Sequence, residues 1–151
     1  MKVTNKELKN SKVYFCDESE PFGVFSDAIL DESGRIAGYL VKTLSIVPIS
    51  KIIRVCDIEK IIDGKVFLTK GATLENSEHF KTRTGGRLLC TDQIKTAVGT
   101  DKIPRKLKDI RFDFETGEIC DVVIIKNIIT GKEELSVNKI SAKDNTIYVE
   151  N

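Results

Sequence analysis

Phe25-Ser26-Asp27-Ala28-Ile29-Leu30-Asp31-Glu32-Ser33-Gly34-Arg35-Ile36 is answered later in the chain by Leu107-Lys108-Asp109-Ile110-Arg111-Phe112-Asp113 and then Glu115-Thr116-Gly117-Glu118-Ile119. Both stretches read as an apolar strand with an internal Asp, a terminal Asp, a Ser/Thr-Gly turn and a second apolar strand. The glycine supplies the left-handed backbone that a tight connection between strands requires. Working outward, Ser11 to Asp17 parallels Gly86 to Asp92. Ile49-Ser50-Lys51-Ile52 parallels Val137-Asn138-Lys139-Ile140, and Asp63 to Leu68 parallels Asp144 to Val149. A pattern recurring in this way identifies a repeated structural unit from one sequence.

The 151 residues are 40% hydrophobic and 31% charged, with a formal net charge of +1. Such a chain can bury a core, which excludes full disorder, and its length suits one domain or two small ones. Nineteen isoleucines and short apolar runs separated by Asp-Gly, Ser-Gly, Thr-Gly and Asp-Asn turns predict strands. Expected strands include Lys12 to Cys16, Val24 to Asp31, Arg35 to Thr43, Ile46 to Ile49 and Arg54 to Glu59. Leu88 to Thr91, Leu107 to Asp113 and Glu118 to Lys126 follow in the second half. Thr4-Asn5-Lys6-Glu7 is the one helix signal, a capping box. The polar segment Thr69 to Arg83 reads as a linker, giving a first unit over residues 1–75 and a second over 76–151. Units of this size are marginal alone, so the two are expected to pack together.

A strand ending in Asp-x-x-x-Asp, a Thr/Ser-Gly turn, an apolar strand, a Lys-Ile segment and a closing strand resemble the PRC-barrel domain, twice over nearly the whole chain. That resemblance implies an all-β protein of two tandem small β-barrels with an approximate internal two-fold repeat. Families with this domain include the cytoplasmic part of a photosynthetic reaction-centre subunit and the C-terminal domain of a ribosome maturation factor. The chain lacks the membrane helix of the first and the different N-terminal barrel of the second, so its likeness is to bacterial tandem PRC-barrel proteins. The resemblance implies a non-enzymatic binding or assembly module engaging a protein partner, a second copy of the chain included. RNA or a ribonucleoprotein is the alternative partner, and an unrecognised enzyme is the third class.

No reaction is legible in the residues themselves. Cys16, Cys56, Cys90 and Cys120 lie 30 to 40 residues apart with no Cys-x-x-Cys spacing, and read as buried small hydrophobes of a cytoplasmic protein without metal or disulfide. His79, in the linker, has no nucleophile-activating spacing and is expected to be exposed. The glycine-containing loops Thr84 to Arg87 and Val98 to Thr100 lack phosphate-binding spacing, so no cofactor is expected. No apolar run approaches membrane-spanning length. Asp27 and Asp109 recur at one strand position, where a carboxylate accepting backbone amides at a bulge competes with acid–base chemistry. Asp31 and Asp113 read as turn stabilisers.

Charge distribution marks the candidate partner site. From His79 to Arg111 there are nine Lys/Arg against three Asp, whereas Phe112 to Asn151 has four against eight acidic residues. Arg83, Arg87, Lys102, Arg105, Lys106 and Lys108 are the candidate partner-binding residues, the last four on an expected long exposed loop from Gln93 to Lys108. Finally, Phe25, Asp27 and Ile29 read as one strand face, and its apolar members predict that something covers it.

Overall fold

The computed structural model describes residues 1–84, 89–127 and 131–150. β1 (Lys2–Thr4) leads into one turn of helix, α1 (Asn5–Leu8), whose Thr4 Oγ1 accepts the Glu7 amide at 3.1 Å, as the capping box predicts. The first half continues as β2 (Lys12–Tyr14), β3 (Gly23–Leu30), β4 (Ile36–Thr43), β5 (Ser50–Arg54), β6 (Ile58–Ile62) and β7 (Lys65–Leu68). Then come β8 (Leu74–Glu75), α2 (Ser77–Thr84) and β9 (Leu89–Cys90). The second half holds β10 (Thr96–Val98), β11 (Pro104–Asp113), β12 (Ile119–Asn127), β13 (Gly131–Ser136), β14 (Lys139–Lys143) and β15 (Thr146–Glu150).

Among the described residues these strands form two sheets. One runs β6-β7-β2-β3-β4-β5-β8 and the other β14-β15-β10-β11-β12-β13. Six positions therefore follow the same order in both, including the parallel steps β7-β2 and β15-β10. The repeat is thus expressed as two β-sheets, and neither closes into a barrel among the described residues. Two parallels drawn from the sequence are corrected by the pairing. The counterpart of Lys12–Tyr14 is Thr96–Val98, because Val13 lies beside Val66 as Ala97 lies beside Ile147. Lys139–Lys143 matches Ile58–Ile62 and not the segment around Lys51.

Two short strands off the main path of each sheet are exchanged between the sheets. β1, at the start of the chain, pairs with β11 through Thr4 and Arg111, while β9, which precedes the second half, pairs with β3 through Cys90 and Ile29. One apolar cluster spans both sheets, with Val13, Phe25, Leu30 and Tyr39 from one and Ile110, Phe112, Ile124 and Ile147 from the other. Tyr39 is wholly buried and donates its hydroxyl to the Phe114 carbonyl at 3.0 Å, and Ile36 donates its amide to the Gly117 carbonyl at 2.8 Å. Gly34 and Gly117 hold φ of +80° and +76°, as their turns require. Both also lie in the joint, since a Cβ on Gly34 would stand 2.6 Å from Ile140 Cγ2 and one on Gly117 2.6 Å from the Ile36 carbonyl. Turn geometry and sheet contact thus select glycine twice over.

The segment expected to be a plain linker is structured. Asn76 Oδ1 accepts the His79 amide at 2.8 Å and starts α2, whose Phe80 is completely buried against Ile29 and Ile52. A β-bulge between Phe25 and Asp27 reverses the alternation of β3, so Phe25 points into the main core while Ile29 points to α2. The expected single face of Phe25, Asp27 and Ile29 is therefore split, although all three are buried. Gly38, beneath the Phe80 ring, gives the helix its close approach. By register, the positions of Ile29, Gly38 and Ile52 are held in the other sheet by Arg111, Asp121 and Glu134. Those three form ion pairs at 3.3 and 2.9 Å and offer no apolar seat for a helix.

Glu75 fastens this covering. Its buried carboxylate accepts from Arg54 Nε at 2.6 Å and Arg83 Nε at 3.0 Å, with His79 Nδ1 also at 3.0 Å. Burial pushes the Glu75 carboxyl up, but the hydrogen bonds and charges of Arg83 and Arg54 outweigh it and hold it below the ordinary 4.5. Both arginines are about one-third exposed, so solvent screening weakens the pairs, and Glu75→Gln is expected to cost about 2 kcal/mol at neutral pH. A folded-state value below the unfolded one means the carboxylate's contribution is full above 4.5 and disappears as pH falls through the folded value. Urea unfolding of both proteins should therefore show a constant gap above that pH which closes below it. A gap that survives undiminished at about pH 3 would contradict the assignment.

Candidate functional site

The five described basic candidates do not form one surface. Arg83 is committed to Glu75, and its guanidinium also lies 5.1 Å from the Phe80 ring centre, so it belongs to the α2 anchorage. Arg87 lies outside the described residues, as do Gly85 and Gly86. Arg105 is half-buried and pairs with Asp101 at 2.8 Å, where the amide of Ile103 and the Arg105 guanidinium hold the Asp101 carboxyl below its ordinary value. Lys102, Lys106 and Lys108 are exposed. The expected exposed loop from Gln93 to Lys108 is corrected: Ile94 and Ala97 are buried, β10 lies mid-sheet, and Pro104 to Lys108 belong to β11. Eight strand residues inside a sheet cannot behave as a loop, which leaves Thr100 to Ile103 as the exposed connection between β10 and β11.

Asp27 and Asp109 sit at equivalent β-bulges. The Asp27 carboxylate is buried and accepts from the Ala28 amide at 2.8 Å, the Asp92 amide at 3.0 Å, Asn5 Nδ2 at 3.1 Å and the Thr91 hydroxyl. Asp109 accepts from the Ile110 amide at 2.8 Å and the Lys6 amide at 3.3 Å. Each aspartate thus grips the segment that follows an exchanged strand: Asp27 holds the one after β9, and Asp109 the one after β1. Burial pushes the Asp27 carboxyl above its ordinary value against the pull of its hydrogen bonds. Beside this network lies a cleft of about 60 Å³ lined by Asn5, Thr91 and Asp109, where the buried Asn5 Oδ1 has no partner among the described residues. That volume suits a water or two and no organic substrate. Geometry therefore gives both a structural use, Asp27 accepting from four fixed donors and Asp109 from two. Asp31 and Asp113 accept amides of their own turns, from Ser33 and Arg35 and from Glu115 and Thr116.

His79 stands beside Glu75, with its side chain 63% exposed. Of the cysteines, Cys56 is exposed and the other three are half-buried, which corrects the expectation of buried thiols; all four are free. Burial, with Asp27 and Asp92 adding to it, pushes the Cys90 thiol up and away from a reactive thiolate. Among the described residues no group of His, Cys, Asp or Glu has the arrangement to hold a metal ion, and no helix is long and apolar enough to cross a membrane.

The feature that sequence reading missed is the β4–β5 hairpin tip, Leu44-Ser45-Ile46-Val47-Pro48-Ile49, whose Ile46 to Ile49 were expected to form a strand. The tip instead projects four large apolar side chains, with Ile46 fully exposed and Val47 73% exposed. It is held in shape while doing so. Thr43 donates its amide to the Ile49 carbonyl at 2.9 Å, Thr43 Oγ1 accepts the Ile49 amide at 2.9 Å, and Ser45 Oγ donates to the Val47 carbonyl at 2.7 Å. Leu44 donates its amide to the Phe22 carbonyl at 2.9 Å, tying the tip to the neighbouring β2–β3 connection. Pro48 gave the only local signal, because its missing N–H ends a ladder. The second concave feature is an open groove of about 880 Å³ between the β10–β11 connection and the β14–β15 pair, lined by Val98, Gly99, Ile140, Tyr148 and Val149 with Lys102 and Lys139 at its rim.

No family model matches the chain, and no curated protein matches it.

Proposed function

We propose that the protein is a non-enzymatic assembly module of the PRC-barrel type that engages a protein partner through the β4–β5 hairpin tip. The observation that carries this reading is the tip itself. Four large apolar side chains held in water by a pre-shaped loop lower the stability of an isolated chain only if nothing covers them, and on a partner they supply the desolvated centre of an interface. Side-chain hydrogen bonds already order the loop, so little conformational entropy remains to be lost on binding. What supports the family reading is the strand order common to both sheets and the repeated bulge aspartates and turn glycines. The basic residues support an RNA partner less well, because Arg83 and Arg105 spend their charge on Glu75 and Asp101.

The test is capture of partners from native cytoplasm by the wild-type chain, by Ile46→Asp/Val47→Asp and by Lys106→Glu/Lys108→Glu, each with and without RNase. The expected result is capture that resists RNase, falls at least roughly tenfold in the tip variant, corresponding to about 1.4 kcal/mol or more, and persists in the lysine variant. Loss on RNase treatment and in the lysine variant alone would replace this reading with the RNA one.

A further inference from the structure

We infer that the hairpin tip of one copy of this chain docks in the groove beside Gly99 of a second copy, so that the protein assembles head to tail. This rests on the reading of the tip as a partner site and names its occupant.

The groove exists because the two halves fill one equivalent space differently. In the first half, Tyr14 stacks on Phe67 with ring centres 5.1 Å apart, and Phe15 stacks on Phe22 at 4.1 Å, closing that end of the sheet with the chain's own aromatics. Register assigns their counterparts. Val13 pairs with Val66 and Gly23 as Ala97 pairs with Ile147 and Arg105, so Tyr14 corresponds to Val98, Phe15 to Gly99 and Phe22 to Pro104. Three aromatic rings are therefore replaced by Val, Gly and Pro, and Val98 and Gly99, the counterparts of Tyr14 and Phe15, line the groove. A Cβ placed on Gly99 would meet nothing closer than 3.8 Å. The groove is thus an apolar site of a size that takes several side chains.

The tip offers what the groove lacks, a compact cluster of Ile46, Val47 and Ile49 on a narrow projection. Charge agrees in sign. The rim of the groove carries Lys102 and Lys139 with Glu150, while the β2–β3 connection hydrogen-bonded to the tip carries exposed Glu18 and Glu20, with Lys42 behind it on β4. Tip and groove belong to different sheets of one molecule, so their union is heterologous and leaves a free tip at one end and a free groove at the other.

Sedimentation velocity over micromolar to submillimolar concentrations tests this. The wild type should grow in mass with concentration, whereas Ile46→Asp/Val47→Asp and Gly99→Phe should each remain monomeric. Mixed together, these two variants should double in mass to a one-to-one dimer, since one contributes the intact groove and the other the intact tip. Lys102→Glu/Lys139→Glu provides a second groove variant confined to exposed positions, and it should weaken assembly in the same direction. A wild type that is monomeric throughout overturns the inference, as does a mixture that stays monomeric, or assembly of Gly99→Phe equal to the wild type. Should the wild type be monomeric while the tip variant still loses a captured partner, the tip is a partner site for another protein and self-recognition alone falls.

Discussion

Phe80→Ala is expected to lower the unfolding free energy by about 3–4 kcal/mol, read by urea denaturation. The ring is wholly buried, and it is the only buried apolar side chain that α2 contributes. Its removal leaves a cavity over Gly38 and opens Ile29 and Ile52 to water, so the transfer and cavity costs add. The same substitution tests why the two sheets differ. Glu134→Ile with Arg111→Ile and Asp121→Gly would create an apolar seat on the other sheet, but no helix among the described residues is placed to occupy it. A loss under about 1 kcal/mol for Phe80→Ala would mean that α2 rests on the sheet without being held by it.

Asp27→Ala is expected to cost about 3–5 kcal/mol and Asp109→Ala about 1 kcal/mol, although the two residues are equivalents. Asp27 is buried and satisfies four donors, which its removal would leave without that carboxylate. Asp109 satisfies two, one of them at 3.3 Å, and water reaches it. Because the folded-state value of Asp27 is raised, the stability tied to its protonation is full below the ordinary 3.8 and lost as pH rises through the folded value, the reverse of Glu75. Acid should therefore narrow the gap for Glu75→Gln while the Asp27 site itself gains. Equal losses for the two aspartate variants would show that the exchanged segments are not held as described.

Residue pattern carried the fold as far as its strong signals went. The bulge aspartates, the turn glycines and the N-cap at Thr4 are local devices whose residue types are set by backbone geometry, and each was legible. β1 was not, because a strand of three residues has no period to read; β9 falls within the expected strand Leu88 to Thr91, but the exchange of both between the sheets is a property of pairing alone. α2 was read as a linker since only Phe80 among its eight residues is apolar and buried; the signal that identifies it, Asn76 as a cap followed by Phe80, is too short to outweigh its polarity. The split of Phe25 from Ile29 followed from a bulge, which reverses the alternation on which face assignments depend. On the candidate site, counting charges located basic residues but not their partners, and ion pairing removed Arg83 and Arg105 from the surface available to a ligand. The tip was hidden because exposed isoleucine and valine have the composition of a strand.

The central claim, that the hairpin tip is the working surface, is tested most directly by a photo-crosslinking residue placed at Ile46 in one experiment and at Lys106 in another, within the full chain in its native cells. The account predicts a discrete protein adduct from position 46 and none from position 106. Adducts from position 106 with none from position 46 would contradict it.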